Sequence, residues 1–522
     1  MQLLNKGLLK QRAKNLDILE IGFQNEAKQE KILQFGEGNF LRAFVDVFVD
    51  ELNEKNLFDG SIIVVPPIAQ TAGLIDAINA QDGCYTVVLR GLEGNVPVMQ
   101  QRIVTSVSRA INIFRDFDLY MNTMKNPHLR YIISNTTEAG IVYLETDKPK
   151  ENPTEPPASF PAKITALLCE RYKMFNGATD KGFIFIPCEL IDNNGTKLKE
   201  CVLQHAKDWG LPKEFINWMQ NCNYFTNTLV DRIVTGHPKD EVEAFAESLG
   251  YRDNLLVTGE IFHFFAIEAE QKVAIEINET LPFRKAGLNV VLTDDATPYK
   301  LRKVRILNGA HTMSVLAAFL SGKDTVGEMM EDPIFIEFLR RGIYKEIIPS
   351  LSMPPIEHSG INENDLLSFA DSVFDRFANP HIKHYLLNIA LNSVSKFTAR
   401  VLPSILGYHK KTGELPQILT LSFAALLAFY KGTVIKNNVL IGNRAKDRYQ
   451  IADNTEILEF FKQQWQEKDV KQLVKATLTK TEFWGMDLTQ LPGFCEAITK
   501  HLQNILANGV RNEIELITGV KS

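Results

Sequence analysis

The chain has 522 residues, a formal net charge of −6, and 45% hydrophobic and 23% charged residues. A chain of this length exceeds what one hydrophobic core supports, since cores stop growing at about 250 to 300 residues, so we expect two large domains. The mild acidity argues against a nucleic-acid ligand, which needs a basic face, but it is compatible with an anionic small molecule held by a few local cations.

The N-terminal and the most apolar segments bear on cellular location. The first thirty residues mix acidic and basic side chains with short apolar pairs, a composition unlike that of a secretory signal peptide. The longest apolar run, residues 419–430, is shorter than the about 20 residues that cross a bilayer. The six cysteines form no C-x-x-C pair, which favours reduced thiols. We therefore expect a cytoplasmic protein with neither a membrane nor a nucleic-acid partner.

Strand and helix patterns alternate in chain order through the first half. A β-rich run at residues 31–35 is followed by Gly36-Glu37-Gly38 and then by apolar residues at helical spacing up to Leu52. Further β-rich runs lie at residues 61–65, 85–89, 130–134 and 183–186. This alternation predicts a largely parallel sheet covered by helices, with the Pro-, Glu- and Asn-rich residues 147–161 as an exposed excursion.

The second half has a different pattern. After about residue 293, β-rich runs become scarce and helix-patterned segments dominate, at residues 306–320, 381–402 and 415–430. No internal repeat is visible at a solenoid period. The predicted fold is therefore an α/β amino-terminal domain, residues 1–293, followed by a mainly α-helical carboxy-terminal domain, residues 294–522.

The glycine turn after the first predicted strand has part of a dinucleotide-binding fingerprint. Gly36 and Gly38 occupy the positions that such a fold needs for a tight turn and for close approach of the backbone to a pyrophosphate, and Asn39 can cap the next helix. The third glycine position holds Leu41, and residues 64–67, Val-Val-Pro-Pro, supply no ribose-binding acid after the second strand.

Two interpretations of this turn stay open. It is either a cofactor site or an ordinary connection between a strand and a helix. Arg42, one turn into the predicted helix, has the reach to contact a phosphate, and the alternative is a solvated helix residue.

The segment that begins at Lys303 places three polar residues at regular intervals. At about 100° per residue, Lys303, Asn308 and His311 fall at about 0°, 140° and 80° around a helix, so all three lie on one side. Lys303 lies about 12 Å below His311 along an ideal axis. It can therefore join the other two only if it bends across or precedes the regular helix.

These residue types suit hydride chemistry at a ketone. Delivery of hydride creates an alkoxide, which needs a proton donor and hydrogen-bond donors aimed at the oxygen. Lys303 is the candidate proton donor, with a pKa lowered by burial from about 10.4 towards 7 or 8, Asn308 an oxyanion donor and His311 a substrate ligand. Helical geometry turns Arg302 and Arg305 away from that face. The alternative is a surface lysine with two residues that satisfy local backbone groups.

Two further groups of residues are candidates for ligand binding. His381 and His384 lie three residues apart, but no carboxylate or cysteine nearby completes a metal site, so we expect no catalytic metal and a structural or substrate-facing pair. Lys396 and Arg400 lie one helical turn apart and can meet a carboxylate, unless they form a solvated helix face.

Motifs across the whole chain match one family in the same order. The pattern of Lys303, Leu307, Asn308 and His311, together with the turn at residues 36–43, resembles the signature of the mannitol dehydrogenase family of long-chain, zinc-independent polyol dehydrogenases. Further matching stretches are Gln81-Asp82, Tyr85-Thr86 and residues 134–140, 230–233, 376–380 and 395–396. Members that interconvert D-tagaturonate and D-altronate are the most similar, through residues 34–44, 187–192 and 306–312.

The resemblance implies a Rossmann-like amino-terminal domain, a helical carboxy-terminal domain, an active site between them, and NAD as the cofactor of a reversible hydride transfer in hexuronate breakdown. It makes Lys303 the general acid and base, Asn308 an oxyanion donor and His311 a substrate ligand, with Asp231 tuning the lysine and Lys396 contacting the substrate. The implied cofactor-binding residues are Phe35, Gly36, Glu37, Gly38, Asn39, Phe40, Leu41, Arg42, Ala43, Thr137 and Glu138. We add His384 and Asn193 as substrate-binding candidates.

Two positions depart from the polyol enzymes of that family. Those enzymes carry an Asn where this chain has Leu190, so either Asn308 acts alone or another donor such as Asn193 replaces it. An Arg eight residues before the substrate-binding lysine is replaced by Asn388. The open functions are the altronate and tagaturonate reaction, a related reaction on fructuronate, mannonate or a hexitol, and a non-catalytic dinucleotide-binding sensor.

Overall fold

The computed structural model describes residues 1–12, 20–21, 28–71, 73–149, 153–351, 356, 360–466 and 469–521. Part of the predicted excursion at 147–161, residues 150–152, therefore lies outside the described residues. The chain divides into two compact units, of which the first comprises Met1–Gly91 and Pro97–Ala296, and the second Leu92–Val96 and Thr297–Ser522.

The first unit contains fourteen strands within the described residues. They are β1 Glu20–Ile21, β2 Glu30–Phe35, β3 Ser61–Val65, β4 Tyr85–Glu93, β5 Val96–Val104, β6 Val107–Ala110, β7 Tyr131–Ser134, β8 Ile184–Pro187, β9 Tyr224–Phe225, β10 Asn227–Asp231, β11 Val234–Gly236, β12 Val257–Gly259, β13 Phe264–Glu268 and β14 Val290–Thr293. Its helices are α1 Lys6–Arg12, α2 Asn39–Arg42, α3 Val45–Glu54, α4 Gly73–Ala80, α5 Phe117–Asn122, α6 Phe160–Met174, α7 Asn194–Asp208, α8 Lys213–Cys222, α9 Val242–Leu249 and α10 Gln271–Thr280.

Six of these strands form a parallel sheet in the order β6-β3-β2-β7-β8-β9. Numbered by their succession along the chain, the strands of this sheet run 3-2-1-4-5-6, which is the strand order of the dinucleotide-binding Rossmann fold. The Rossmann-like prediction is thus confirmed. The order reverses between β2 and β7, so the crevice where such sheets bind ligands lies outside the carboxyl ends of these two strands.

Hydrophobic cores cover both faces of the six-stranded sheet. Because successive side chains of a strand point to opposite faces, Ile32 packs into one core and Leu33 into the other. The first core also includes Phe44, which precedes α3, and Phe48 on the apolar face of α3, whereas the second includes Leu167 of α6. Both faces are buried, which explains why β3 reads as a continuous apolar run from Ile62 to Val65.

One predicted strand belongs elsewhere. The run at 85–89 was expected in the parallel sheet, but β4 lies in a separate five-stranded sheet of order β1-β5-β4-β12-β11, where it pairs in parallel with β12. A third sheet joins β10, β13 and β14. The apolar run at 85–89 correctly predicted a strand. It could not predict which sheet the strand joins, because its partner β12 lies some 170 residues further along the chain.

The second unit is mainly helical, as predicted. Its α-helices are α11 Thr297–Arg302, α12 Gly309–Leu320, α13 Val326–Met330, α14 Pro333–Arg340, α15 Ile348–Leu351, α16 Glu363–Phe377, α17 Leu386–Ile389, α18 Ser393–Arg400, α19 Leu402–Thr412, α20 Gln417–Phe429, α21 Thr455–Gln464, α22 Val470–Leu478, α23 Thr481–Trp484, α24 Phe494–Asn508 and α25 Val510–Thr518. Two π-helices, π1 Lys303–Asn308 and π2 Arg341–Ile347, interrupt them.

Two features of the second unit differ from the prediction. A three-stranded antiparallel sheet, β15 Gly432–Lys436, β16 Val439–Arg444 and β17 Asp447–Ile451, was not predicted. The helix expected over 381–402 is two helices, α17 and α18, because Asn392 adopts a left-handed conformation with φ 55° between them. Asparagine tolerates that conformation better than most residues.

Candidate active site

The glycine turn lies at the carboxyl end of β2, beside the crevice of the parallel sheet. Gly36 has φ +129°, and its N–H donates to the carbonyl of Val65 at 3.0 Å. A Cβ at Gly36 would lie 3.0 Å from the carbonyl oxygen of Asn135, so a side chain would collide with the loop after β7. Gly38 is exposed, and nothing lies within 4 Å of the position a Cβ would take. The turn therefore offers open backbone where a dinucleotide needs close approach.

The helix after the turn is broken after four residues. Helix α2 ends at Arg42, and α3 begins at Val45. The prediction that Asn39 caps the helix is wrong, since Gly38 is the N-cap residue and no side chain caps it. The Asn39 side-chain oxygen instead accepts a hydrogen bond from Arg42 at 2.7 Å.

Arg42 fits neither of its two predicted roles. Its guanidinium is buried and donates to the carbonyls of Glu37 and Leu255 as well as to Asn39. It is therefore neither a solvated helix residue nor aimed outward at a phosphate. It holds the glycine turn against the chain near β12, because a buried guanidinium must satisfy its donors within the protein.

Two buried side chains satisfy the carbonyls that the helix break exposes. The Tyr85 hydroxyl shares its one proton between the carbonyl of Arg42 at 3.2 Å and Asp46 Oδ2 at 2.7 Å, and Arg232 donates to the carbonyl of Ala43 at 2.7 Å. Arg232 also bonds the carbonyls of residues 261 and 262, and burial lowers its pKa to about 10. The motif residues around 85 and 232 thus brace the glycine turn.

Glu37 lies inside the turn, at 3% exposure. Burial raises the pKa of its carboxyl, although a hydrogen bond with Thr71 and the charge of Arg42 oppose the shift. Its Oε2 atom is buried and has no hydrogen-bond partner among the described residues. Of its predicted neighbours, Phe35 and Ala43 are also buried, Phe40 is half-buried, and Leu41 packs against Gly36 in the core.

The loop after β7 forms the other wall of the crevice. Thr137 has φ +73°, a strained conformation for a β-branched residue, and Thr137 and Glu138 are both exposed. The buried Glu189 carboxylate holds this loop, accepting from the Thr136 N–H and hydroxyl at 2.9 Å and from Ser134. Glu189 had no assigned role in the sequence, although it lies in a matched motif.

Leu190, one of the two positions that differ from the polyol enzymes, lies in the segment after β8. Leu190 is 63% exposed, and Asn193 is exposed with φ 55°. The neighbouring Asn194 is buried and anchors this segment, donating to the carbonyls of Pro187 and Glu189. Asn193 thus stands at the segment's surface, where its amide is accessible. Asp231 is buried at the end of β10, immediately before Arg232.

In the second unit, the π1 helix changes the geometry expected for Lys303 and Asn308. Its defining bonds run between residues five apart, as in the bond from the Gly309 N–H to the Val304 carbonyl. The estimate of 140° between Lys303 and Asn308 assumed an α-helix and is therefore wrong. Just as residues i and i+4 are neighbours on an α-helix, i and i+5 are neighbours on a π-helix. Lys303 and Asn308, the first and last residues of π1, lie one turn apart on one side.

His311 occupies the first turn of α12. Its ring stacks on Phe377 of α16, with centroids 4.0 Å apart and planes 16° apart, and its edge meets His384 at 5.8 Å. The Nε2 atom is buried without a hydrogen-bond partner in the described ranges. An imidazole nitrogen left in this state is a binding group for a ligand hydroxyl.

A group of basic side chains surrounds this imidazole. The pKa of His311 is held well below its usual range, first by burial and then by four basic neighbours, here called the basic cluster: His384, Arg376, Arg400 and Lys396. Burial, followed by the charge of Arg400, also lowers the pKa of Lys396, against the opposing charge of Asp453. Concentrated positive charge of this kind favours an anionic ligand.

Close packing fixes the basic cluster relative to α12. Arg400 donates to the Thr312 hydroxyl at 3.4 Å, and Lys396 donates to the carbonyl of Ile389 at 2.9 Å. A Cβ at Gly309 would lie 3.3 Å from the Arg400 carbonyl, so glycine permits α18 to approach α12. Asn388, at the position of the missing arginine, is exposed. The roles of Arg376 and Phe377 were missed, although both lie in a matched motif.

Arg302 and Arg305 contact other elements, in agreement with the helical geometry predicted for them. Arg302 packs over the ring of Phe369 in α16, with its guanidinium 4.6 Å from the ring centroid. Arg305 donates to the Ser404 hydroxyl at 2.9 Å, and burial lowers its pKa to about 10.

His381 and His384 do not form part of a larger metal-ligating group. In the described ranges, no three His, Cys, Asp or Glu side chains come together in a way that could hold a metal ion. His384 contacts His311 instead. Across the same part of the chain, every helix is too short or too polar to span a bilayer. All six cysteines are free thiols.

Comparison with known proteins relates both halves of the chain to one family. Residues 30–279 match the family model of the mannitol dehydrogenase Rossmann domain, and residues 295–506 match that of the mannitol dehydrogenase C-terminal domain. The altronate oxidoreductase of Yersinia enterocolitica is 44% identical over 495 residues, which cover 94% of this chain and 97% of the relative. That of Escherichia coli strain K12 is 45% identical over 491 residues, with coverages of 93% and 96%.

Two solved structures share the fold. Pseudomonas fluorescens mannitol 2-dehydrogenase, in a ternary complex with NAD and D-mannitol, superposes with a TM-score of 0.65 at 22% identity and covers 100% of both chains. A substrate-free D-sorbitol dehydrogenase superposes with a TM-score of 0.78 at 20% identity, covering 98% of this chain and 100% of its own.

Proposed function

The chain belongs to the mannitol dehydrogenase family, and from this membership we propose that it is an NAD-dependent oxidoreductase that interconverts D-altronate and D-tagaturonate. Residues 1–293 bind the cofactor and residues 294–522 bind the substrate and carry the proton chemistry. The enzyme acts in the cytoplasm, where its six free thiols stay reduced.

The basic cluster around His311 is the observation that carries the choice of substrate. Four basic side chains lie near enough to one imidazole to lower its pKa, and burial removes part of the hydration of two of them, Lys396 and Arg400. The carboxylate of a sugar acid brings a negative charge to these side chains, whereas a neutral polyol brings none. The cluster therefore favours an aldonate or uronate over a hexitol.

The chemistry follows from the residues on π1 and α12. Bound NAD supplies the acceptor for the hydride that leaves the carbinol carbon of the substrate. Lys303 takes the hydroxyl proton during oxidation and returns it during reduction. The Asn308 amide donates to the same oxygen as negative charge develops there. His311, kept neutral by its surroundings, binds an adjacent hydroxyl through Nε2. From the family resemblance we assign Asp231 to tuning the lysine, and either Asn308 acts alone or Asn193 is a second amide donor.

The proposal is tested by NADH oxidation against D-tagaturonate, D-fructuronate and D-fructose at equal concentrations. We expect D-tagaturonate to give the highest kcat/KM and D-fructose, which lacks the carboxylate, a value at least roughly 100-fold lower. A preference for D-fructuronate or D-fructose would contradict the proposed substrate. An absence of turnover on all three, with NADH still bound, would indicate a dinucleotide-binding sensor.

A further inference from the structure

The crevice of the parallel sheet lacks the acid that usually reads the adenosine ribose. In dinucleotide-binding folds an Asp or Glu near the end of the second strand accepts a hydrogen bond from the ribose 2′-hydroxyl. Here the second strand, β3, ends at Val65 and is followed by Pro66 and Pro67. Residues 66–75 contain no Asp or Glu at all. The first acid after β3 is Asp76 in α4, and its carboxylate pairs with Arg115 at 3.1 Å, so no acid stands at the strand end itself.

Glu37, in the glycine turn, places a carboxylate beside the end of β3. Gly36 is tied to the last residue of β3 through the hydrogen bond to the Val65 carbonyl, which brings the turn beside the end of that strand. The Thr71 side chain, in the short 3-10 helix Ala69–Thr71 that follows β3, lies close enough to the Glu37 carboxyl to lower its pKa. Its buried Oε2 atom has no donor in the described part of the chain. A buried acceptor without a donor is costly unless a ligand supplies one.

The segment that directly follows β3 carries no cation of its own for a 2′-phosphate. Residues 66–75 contain neither Lys nor Arg. Arg42, the basic residue closest in sequence to Glu37, donates to Glu37, Leu255 and Asn39 instead. NADP binding by this fold normally relies on an arginine that accommodates the 2′-phosphate. A carboxylate at this point also repels that phosphate.

We propose that Glu37 is the residue that accepts the ribose 2′-hydroxyl of the dinucleotide and makes this chain select NAD over NADP. The carboxylate belongs to the glycine turn rather than to the end of the second strand, and the Thr71 side chain lies beside it. This assignment rests on the proposed dinucleotide dependence and adds to it the residue that sets the choice of cofactor.

The test is direct binding of NADH and NADPH to the full chain by fluorescence titration, without a sugar acid present. The wild-type chain should bind NADH at least roughly tenfold more tightly than NADPH. Glu37→Gln keeps the size of the side chain and removes the charge, so the ratio of the two Kd values should shift towards NADPH by roughly tenfold or more. Glu279→Gln, an exposed charge-matched control on α10, should leave the ratio unchanged.

Three results would overturn the assignment. An unchanged Kd ratio in Glu37→Gln excludes Glu37 as the selecting residue. An equal loss of both nucleotides in a folded Glu37→Gln protein makes Glu37 a support of the turn only. If Glu37→Gln does not fold, Thr71→Val replaces it and should shift the ratio in the same direction, and an unchanged ratio there counts equally against Glu37. A wild-type chain that binds neither nucleotide would instead contradict the proposed function itself.

Discussion

The imidazole of His311 lies face to face with the ring of Phe377, at a centroid distance of 4.0 Å. This contact sets the plane of the imidazole and therefore the direction of its unpartnered Nε2 atom. We expect Phe377→Leu to lower kcat/KM for the sugar acid by about tenfold, because a leucine lets the ring turn, while NADH binding is unchanged. Steady-state kinetics and a fluorescence titration check the two halves of this prediction.

Phe374 on the same helix is the matched control for Phe377. It stacks on Tyr344, with centroids 5.9 Å apart, rather than on His311. Phe374→Leu should therefore lose a comparable aromatic contact without a change in kcat/KM. Equal losses in both variants would mean that α16 matters for stability alone.

Replacing Arg400 by methionine tests the basic cluster. The substitution keeps an unbranched side chain and removes the charge, so KM for the sugar acid should rise by about 10- to 100-fold, the usual range for a lost charged hydrogen bond. Arg340→Met, at an exposed position on α14, removes a charge elsewhere in the same unit and should have no effect on KM. An unchanged KM in Arg400→Met would remove Arg400 from substrate binding.

A methyl group at Gly309 tests the approach of α18 to α12. In Gly309→Ala the new Cβ would lie 3.3 Å from the Arg400 carbonyl, so α18 must move by a few tenths of an ångström. We expect a loss of about tenfold in kcat/KM, since the basic cluster moves with that helix. Gly327→Ala on α13 is the control, because the nearest atom to its Cβ would be 3.9 Å away. Similar kinetics in both variants would contradict the prediction.

Asp46, beneath the glycine turn, predicts a pH dependence of stability. Burial raises its pKa from 3.8 to about 7. Its Oδ2 atom accepts from Tyr85 at 2.7 Å, whereas its Oδ1 and the Oε1 of Gln34 are buried acceptors with no donor in the described ranges. A proton on Asp46 removes the cost of burying its negative charge. The folded protein holds this proton more tightly than the unfolded chain. The contribution of protonated Asp46 to the free energy of unfolding is therefore full below pH 4 and is lost as the pH rises to about 7.

Asp46→Asn places an amide donor where the acid holds its proton. The difference in melting temperature, variant minus wild type, should therefore increase between pH 5 and pH 8. Thermal melts at both pH values measure this difference. A constant difference would show that Asp46 is ionised in the folded protein across this range.

The sequence predicted the cofactor half of the fold well because its signals are local. Strand β2, the glycine turn and strand β3 follow one another within residues 30–65, and their apolar runs and glycines alone indicate their structure. The membership of β4 in another sheet was not predictable, since its partner β12 lies about 170 residues away along the chain.

The catalytic half was harder to predict in geometry than in chemistry. The types of Lys303, Asn308 and His311 indicated proton transfer, but no residue in that stretch signals a π-helix, which depends on packing against neighbouring helices. The sheet β15 to β17 was not predicted, although β16 begins with the apolar run Val439-Leu440-Ile441. Asn437 and Asn438, both at positive φ, mark its first turn and were the available signal.

The braced glycine turn also constrains the order in which the protein folds. Residues 36–44 leave the ribosome early. Their partners come about 200 residues later, because Arg42 donates to the Leu255 carbonyl and the Ala43 carbonyl accepts from Arg232. The cofactor crevice therefore cannot be completed during synthesis of its own strands. Nascent chains that end before residue 255 should contain the parallel strands but remain unable to retain dinucleotide, so the binding site is among the last features of the first unit to mature.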